Sequence, residues 1–154
     1  MVGLQKELRE KSENWEKVPI NIAVIGELKT GKSSFINAVL GLTADDEGSA
    51  EVGVTHKTTE PKAYAHPRYP NFILTDMPGV GTPFFKKGEY LEGTSFWKYD
   101  YYLLLSAKTF TENDRWLVQQ IQKRNGRFYI IRTHVENDIR NDEIHIRRHI
   151  KLKQ

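Results

Sequence analysis

The sequence predicts an α/β fold, a mainly parallel sheet flanked by helices. Three observations predict it. Short apolar runs of strand length alternate with helix-length segments along most of the chain. The first such run, Ile20–Ile25, opens into Gly26-Glu27-Leu28-Lys29-Thr30-Gly31-Lys32-Ser33, which matches the phosphate-loop pattern G-x-x-x-x-G-K-[ST] at every fixed position. A later run, Phe72–Thr75, opens into Asp76-Met77-Pro78-Gly79, a D-x-x-G turn. Both turns follow strands, and ligands of such sheets sit beyond the C-terminal strand ends.

The elements follow in order. Residues 3–17 are polar, with Leu4, Leu8 and Trp15 as sparse apolar points, and read as a surface helix ending near Pro19. Residues 1–19 therefore form an N-terminal helical segment. Ile20–Ile25 is a buried-strand pattern. Ser34–Leu40 reads as a helix with Phe35, Ile36 and Val39 inward, stopped by Gly41. Residues 43–60 are polar and irregular. Lys62–His66 and Phe72–Thr75 read as two strands joined by a turn containing Pro67 and Pro70. Tyr90–Trp97 reads as a short helix and Tyr101–Leu105 as an apolar strand. Glu112–Arg124 reads as a helix with Trp116, Leu117 and Ile121 inward and Asn125-Gly126 as its C-cap. Phe128–Ile131 is the last strand, running to Thr133. From Glu136 to Gln154 the chain is highly charged with isolated isoleucines, and a helix and an unstructured end both stay open.

The totals bound the function. The chain has 154 residues, which suits one domain with a real core. Its 23 basic and 20 acidic residues give a net charge of only +3. That mixed balance differs from the concentrated basic face of a nucleic-acid binder, and no nucleic-acid partner is expected. Only Arg147–Lys153 is locally basic, as a solvated tail or a surface for anionic lipid. The absence of cysteine excludes disulfides and thiolate chemistry and fits a cytoplasmic setting. No apolar run approaches the ~20 residues that span a bilayer. The first residues lack the apolar core of a signal peptide, and Val2 stands where N-myristoylation needs glycine.

The phosphate loop has a mechanical logic. Its glycines let backbone N–H groups turn toward phosphate, and the following helix aims its N-terminus at the same anion. Gly26, Glu27, Lys29, Thr30, Gly31, Lys32, Ser33 and Ser34 are thus candidate nucleotide-binding residues. Lys32 is expected to reach the β- and γ-phosphates and the Ser33 hydroxyl to ligate Mg²⁺. Lys29 stands where a small residue is common. It either points to solvent or folds over the β/γ bridge as an extra point charge, without the fork of arginine. Asp76 is expected to hold Mg²⁺ through its shell, and Gly79 to let its N–H approach the γ-phosphate. A threonine between the two motifs should close over phosphate and metal, and composition leaves Thr55, Thr58 and Thr59 as candidates. His145 and His149, four apart, lack an evident third ligand, so a solvated pair is the expectation. The aromatic cluster Tyr90, Phe96, Trp97, Tyr99, Tyr101 and Tyr102 reads as core and rim packing, with a dimerisation surface as the functional alternative.

Around these motifs the chain resembles the immunity-related, interferon-inducible GTPases. The resemblance runs from Ile20 to Asn141. It rests on Asn21-Ile22-Ala23-Val24-Ile25-Gly26-Glu27, Gly31-Lys32-Ser33-Ser34-Phe35-Ile36-Asn37-Ala38 and Glu47-Gly48-Ser49-Ala50, then on Tyr64, His66-Pro67, Asp76-Met77-Pro78-Gly79-Val80-Gly81, Tyr99-Asp100-Tyr101, Ser106-Ala107 and Arg132-Thr133, at matching intervals. It implies a P-loop NTPase with a Ras-like G domain over residues 20–141, binding GDP and GTP with Mg²⁺. It also implies GTP-promoted self-assembly, as a homo- or hetero-oligomer with related GTPases through the switch face. Peripheral action on intracellular membranes and a role in interferon-linked cell-autonomous defence follow in the same way. By the family's spacing Thr58 is the switch threonine, a metal ligand and, with Lys32, a catalytic residue. Val80 falls where many small GTPases carry the glutamine that orients water, which implies slow hydrolysis.

Three departures qualify that implication. The family usually reads T-K-x-D for guanine recognition; Thr133-His134-Val135-Glu136 stands here, making Thr133 and Glu136 the base-binding candidates. Glu136 keeps the carboxylate but displaces it by a methylene, and unmade hydrogen bonds to a buried charge cost roughly 1–3 kcal/mol each. Weaker guanine affinity and weaker discrimination against ATP are therefore expected. His56 stands where the family usually has a glutamate assigned to hydrolysis, and is the only local candidate to activate water. Finally, the chain stops soon after the base motif, so a C-terminally incomplete domain is expected, with residues 142–154 a divergent basic tail and one sheet edge open. Three readings follow: a slow GTPase, a non-hydrolysing interaction module that modulates full-length relatives, and an ATPase that has lost guanine selectivity.

Overall fold

The computed structural model describes residues 17–52, 58–81, 86–107, 109–136 and 140. Strands β1 (Ile20–Gly26), β2 (Lys62–Ala65), β3 (Phe72–Asp76), β4 (Tyr101–Ser106) and β5 (Arg127–Arg132) form one sheet in the order β2-β3-β1-β4-β5. β1 runs parallel to β3 and β4, and β5 parallel to β4. β2 alone is antiparallel, on β3, because the two are joined by a tight turn rather than a crossover. That turn contains Pro67 and Pro70, as expected, and is closed by Tyr69 N donating to His66 O at 3.1 Å and Phe72 N to Tyr69 O at 2.8 Å.

β1 lies at the sheet centre and is covered on both faces, which is why Ile22, Ala23, Val24 and Ile25 are buried in unbroken succession. On one face Ala23, Ile25, Tyr102 and Leu104 pack with Tyr90, Phe96, Leu117 and Ile121. On the other, Ile22, Val24, Leu74 and Leu105 pack with Ile36 and Leu40. Helix α1 (Lys32–Leu40) supplies the second face, and α2 (Lys87–Gly93), a 3₁₀ turn (Phe96–Lys98) and α3 (Glu112–Lys123) supply the first. The expected α/β architecture with a mainly parallel sheet flanked by helices is the one observed.

Several boundaries differ from expectation, each for a local reason. α1 begins at Lys32 rather than Ser34, because Gly31 at φ 85° makes the turn and accepts the first helical bond from Phe35 N at 2.8 Å. Within it Ile36 and Leu40 are buried, whereas Phe35 and Val39 are half-buried at the rim. The segment expected as one helix over Tyr90–Trp97 breaks at Ser95, whose φ of 47° separates α2 from the 3₁₀ turn. The break lets both Tyr90 and Phe96 enter the core. α3 starts on a capping box, with Thr111 Oγ1 accepting from Asp114 N at 3.1 Å and Thr111 N donating to Asp114 Oδ2 at 3.0 Å. It ends where Asn125 turns left-handed, at φ 53°, and Gly126 N donates to Ile121 O at 2.9 Å. A Cβ on Gly126 would stand 2.6 Å from Ile121 Cγ2, so the glycine is required by packing.

The aromatic cluster is core and rim. Tyr90, Phe96, Tyr99 and Tyr102 are buried, and the Tyr102 hydroxyl donates to Phe96 O at 2.6 Å. Trp97 lies at the rim under the Arg124 guanidinium, 4.5 Å from the ring centroid. β5 forms the sheet edge and leaves Tyr129 at 62% and Ile130 at 54% exposure, in line with the expected open edge. Among the described residues no helix is long and apolar enough to cross a membrane. The expected helix over residues 3–17 lies outside the described residues except for Lys17. Thr55, His56, the histidine pair and the tail 142–154 lie outside them altogether.

Candidate functional site

Two strand ends meet at one edge of the sheet. β1 ends at Gly26 and β3 at Asp76, and the loops that follow them touch. Gly26 has φ 144°, and a Cβ there would stand 2.4 Å from Leu105 O on β4. The chain then rises through Lys29 in the left-handed region (φ 66°) and Gly31 (φ 85°) into α1. A lysine held at positive φ costs on the order of 1 kcal/mol and persists only where its surroundings impose it. Here two contacts impose it. Thr30 Oγ1 donates to Glu27 O at 2.9 Å, and Thr133 Oγ1 donates to Thr30 O at 2.8 Å. Thr133 is itself fixed by its N–H on Ser106 O at 3.0 Å. The end of β5 thus clamps the phosphate loop.

Lys32 is buried at the first position of α1. Its ammonium folds back over the loop, 2.9 Å from Glu27 O and 3.4 Å from Gly26 O. Burial lowers its pKa and the Asp76 carboxylate partly restores it. Asp76 is 2% exposed. Its Oδ2 accepts from Ser33 Oγ at 2.5 Å and from Thr58 Oγ1 at 3.3 Å, while its Oδ1 is buried without a partner among the described residues. Burial raises the Asp76 pKa, against the pull of the Ser33 hydroxyl, the Lys32 charge and the Thr58 hydroxyl. Three oxygen-bearing side chains therefore converge on one point, with one carboxylate oxygen left unsatisfied.

The second loop lies along the first. Val80 N donates to Gly26 O and Leu28 N to Val80 O, both at 3.2 Å. Gly79 sits where a Cβ would come within 3.0 Å of Leu28 backbone atoms, so glycine is needed for the approach. Val80 is wholly buried in the core. Beneath both loops a hollow of about 360 Å³ is lined by Lys29, Lys32, Ser33, Thr58, Gly79 and His134 among others. A second, of about 380 Å³, lies between the phosphate loop and the start of α3 and shares Leu28, Lys29 and His134 with the first. Behind α1, Asn37 ties the helix to the loop that follows it: Ala50 N donates to its Oδ1 at 2.6 Å and its Nδ2 donates to Ala50 O at 2.8 Å.

The sequence that builds these loops matches a known family. A model of the interferon-inducible GTPases (IIGP) matches residues 1–152. The chain belongs to that family. It is 43% identical over 128 residues to the interferon-gamma-inducible GTPase 10 of Mus musculus, covering 83% of this chain and 31% of that protein. It is 37% identical over 132 residues to the interferon-inducible GTPase 5 of Rattus norvegicus, covering 86% and 28% respectively. The family member described here thus spans about a third of the length of these relatives. Among solved structures it is similar to mGMPPNP-bound NFeoB from S. thermophilus, with a TM-score of 0.57 at 21% identity, covering 75% of this chain and 44% of that one. It is also similar to a variant of the same protein bound to GDP·AlF₄⁻, with a TM-score of 0.56 at 20% identity, covering 80% and 48%. At that identity the likeness shows the fold of a G domain.

The family fold brings together Lys29, Lys32, Ser33, Thr58, Asp76 and Gly79, with Thr30, Gly31 and Ser34 in the same loop and helix start. Of the two described threonine candidates, Thr58 and Thr59, it is Thr58 whose hydroxyl reaches Asp76, and Thr55 lies outside the described residues. Thr133 reaches the loop through its hydroxyl, whereas Glu136 is exposed and lines neither hollow. Two residues take positions that the sequence did not indicate. His134, at φ 58°, holds its Nε2 3.5 Å from where a Gly31 Cβ would stand. Glu27 accepts from Thr111 Oγ1 at 3.0 Å and Asn113 Nδ2 at 2.9 Å, and so ties the phosphate loop to α3. The Thr-x-x-Asp pattern at the head of α3 carried the capping half of that link, but nothing in the sequence aimed Glu27 at it. Thr111→Ala removes the cap and one of the two bonds to Glu27. It is expected to lower stability by about 1–2 kcal/mol in urea denaturation.

Proposed function

We propose that this chain binds GTP and GDP with Mg²⁺ and hydrolyses GTP slowly, as a G domain extending over residues 20–141. The carrying observation is the carboxylate of Asp76. Its Oδ2 is shared by the hydroxyls of Ser33 and Thr58 while its Oδ1 is buried and unsatisfied, beside an ammonium already folded over the phosphate loop. A lone buried carboxylate oxygen is costly. A hard divalent cation seeks such oxygen donors. Ser33, Thr58 and Asp76 would hold Mg²⁺, which when bound neutralises charge on the phosphate oxygens. Lys32 binds the β- and γ-phosphates. The N–H of Gly79 faces the γ-phosphate, and the backbone of residues 26–34 cradles the rest. Thr133 and Glu136 read the base, with His134 packing beside the loop. Glu136 is exposed here and open to a base from solvent.

Family membership supports a role in interferon-linked defence, and assembly through the switch face onto related GTPases and peripheral association with intracellular membranes belong to the same proposal. His56 remains the candidate to activate water. A second reading is favoured by Val80. Its side chain is wholly buried, so it presents no polar group to an attacking water. That suits an interaction module that binds nucleotide without turnover and modulates larger relatives.

The test is a titration of the full chain with fluorescent GDP, chased with GTP and then ATP, with and without Mg²⁺. Saturable, Mg²⁺-dependent binding displaced by GTP is expected, followed by slow phosphate release that rises faster than linearly with protein concentration. Binding without release selects the interaction module. Equal displacement by ATP, or no binding, defeats the GTPase reading.

A further inference from the structure

We infer that Lys29 is a transition-state charge supplied in cis, its ammonium swinging onto the bridge between the β- and γ-phosphates during hydrolysis. This rests on the nucleotide-binding reading above. Lys29 takes a left-handed conformation that glycine adopts freely and lysine does not, at the crest of the phosphate loop (φ 66°). That conformation carries its side chain to the common border of the two hollows, which it lines on both sides with His134. It is exposed and makes no ion pair among the described residues. The other lysine of the loop, Lys32, is already committed to the carbonyls of Glu27 and Gly26 on the inner side. Val80, buried in the core, offers nothing polar from the second loop. Among the described residues Lys29 is therefore the one lysine that lines both hollows, on a short tether at the crest of the loop.

The chemistry asks for a cation there. Water attacks the γ-phosphorus, the bond to the bridging oxygen breaks, and its electron pair stays on that oxygen as a terminal oxygen of GDP. Both protons of the attacking water leave with the inorganic phosphate, as H₂PO₄⁻. Negative charge grows on the bridging oxygen as the bond breaks, and an ammonium there stabilises the transition state more than the bound GTP. Lysine lacks the bidentate fork of arginine, so its effect falls below that of an arginine finger.

Single-turnover hydrolysis with protein in excess over GTP·Mg²⁺ tests it, comparing the full chain with Lys29→Gly and Lys29→Arg, with fluorescent-GDP affinity measured in parallel. Glycine suits the backbone at this position, so folding is preserved. Lys29→Gly is expected to slow hydrolysis about tenfold or more while GDP affinity changes less than about threefold, and Lys29→Arg to restore the rate. Unchanged hydrolysis in Lys29→Gly overturns the inference, as does a loss of GDP affinity in proportion to the rate. A wild-type chain that binds GDP yet releases no phosphate also overturns it, leaving nucleotide binding intact. A wild-type chain that fails to bind GDP removes both readings together.

Discussion

Gly26→Ala is expected to cost about 3–5 kcal/mol of stability, enough to unfold much of the population of a marginally stable domain. The added Cβ would stand 2.4 Å from Leu105 O and 3.3 Å from Leu105 C, both backbone atoms of the neighbouring strand. Gly26 and Leu105 are register partners, so relief means prying β1 from β4 at the centre of the sheet. Moving away from β4 is no remedy, because the loop is pinned to the loop after β3 by Val80 N on Gly26 O and by Leu28 N on Val80 O. The φ of 144° adds backbone strain that only glycine avoids. Gly41→Ala is the matched comparison. Its φ of 72° is also left-handed, yet nothing lies within 4 Å of its Cβ position. It should cost only about 1 kcal/mol. Urea denaturation followed by circular dichroism separates the two. Equal losses for both variants would mean that backbone conformation alone, and not the Leu105 carbonyl, sets the requirement at Gly26.

The contrast shows what kind of information the sequence carried. The phosphate loop was legible because it combines fixed residue types, fixed spacing and a strand–helix frame, each reporting the same geometry. The sheet was legible through its central strand: four successive apolar residues in β1 announce burial on both faces, and β1 is indeed covered on both. The helix breaks were less visible. Ser95 at positive φ has no compositional mark, and the split it makes is decided by Tyr90 and Phe96 both finding room in one core. Contacts between elements far apart in the chain were the least legible. Glu27 lies 84 residues from Thr111, and Thr133 lies 103 from Thr30, so only the folded sheet brings them together. Thr58 stands between these cases. Three threonines were equivalent by composition; family spacing selected Thr58, and between the two that are described it is Thr58 whose hydroxyl reaches Asp76.

Asp76→Asn is expected to leave the stability of the nucleotide-free protein within about 1 kcal/mol of wild type while lowering Mg²⁺-dependent GTP affinity about 100-fold. The two effects have different origins. In the free protein the carboxylate is a cost, since it is buried with one oxygen unpartnered, and it is also a counter-charge to the buried Lys32. Neutralising it relieves the first term and forfeits the second, and the near balance of buried pairs makes the net change small. The asparagine oxygen still accepts from Ser33 and Thr58, so the loop and the 58–60 segment keep their anchor. With Mg²⁺ and nucleotide the balance tips. The metal is drawn by negative oxygen, and an amide presents one neutral acceptor and one donor that repels it. Ser33 and Thr58 cannot compensate, because their hydroxyls are neutral ligands positioned by the residue that was changed. Thermal unfolding in EDTA gives the first quantity, and fluorescent-nucleotide titrations across a Mg²⁺ series give the second. A large loss of stability with an unchanged Mg²⁺ dependence would make Asp76 a structural residue that ties two loops together and would move the metal elsewhere. Retained stability with lost Mg²⁺ dependence places the unsatisfied oxygen of Asp76 at the centre of the site's chemistry.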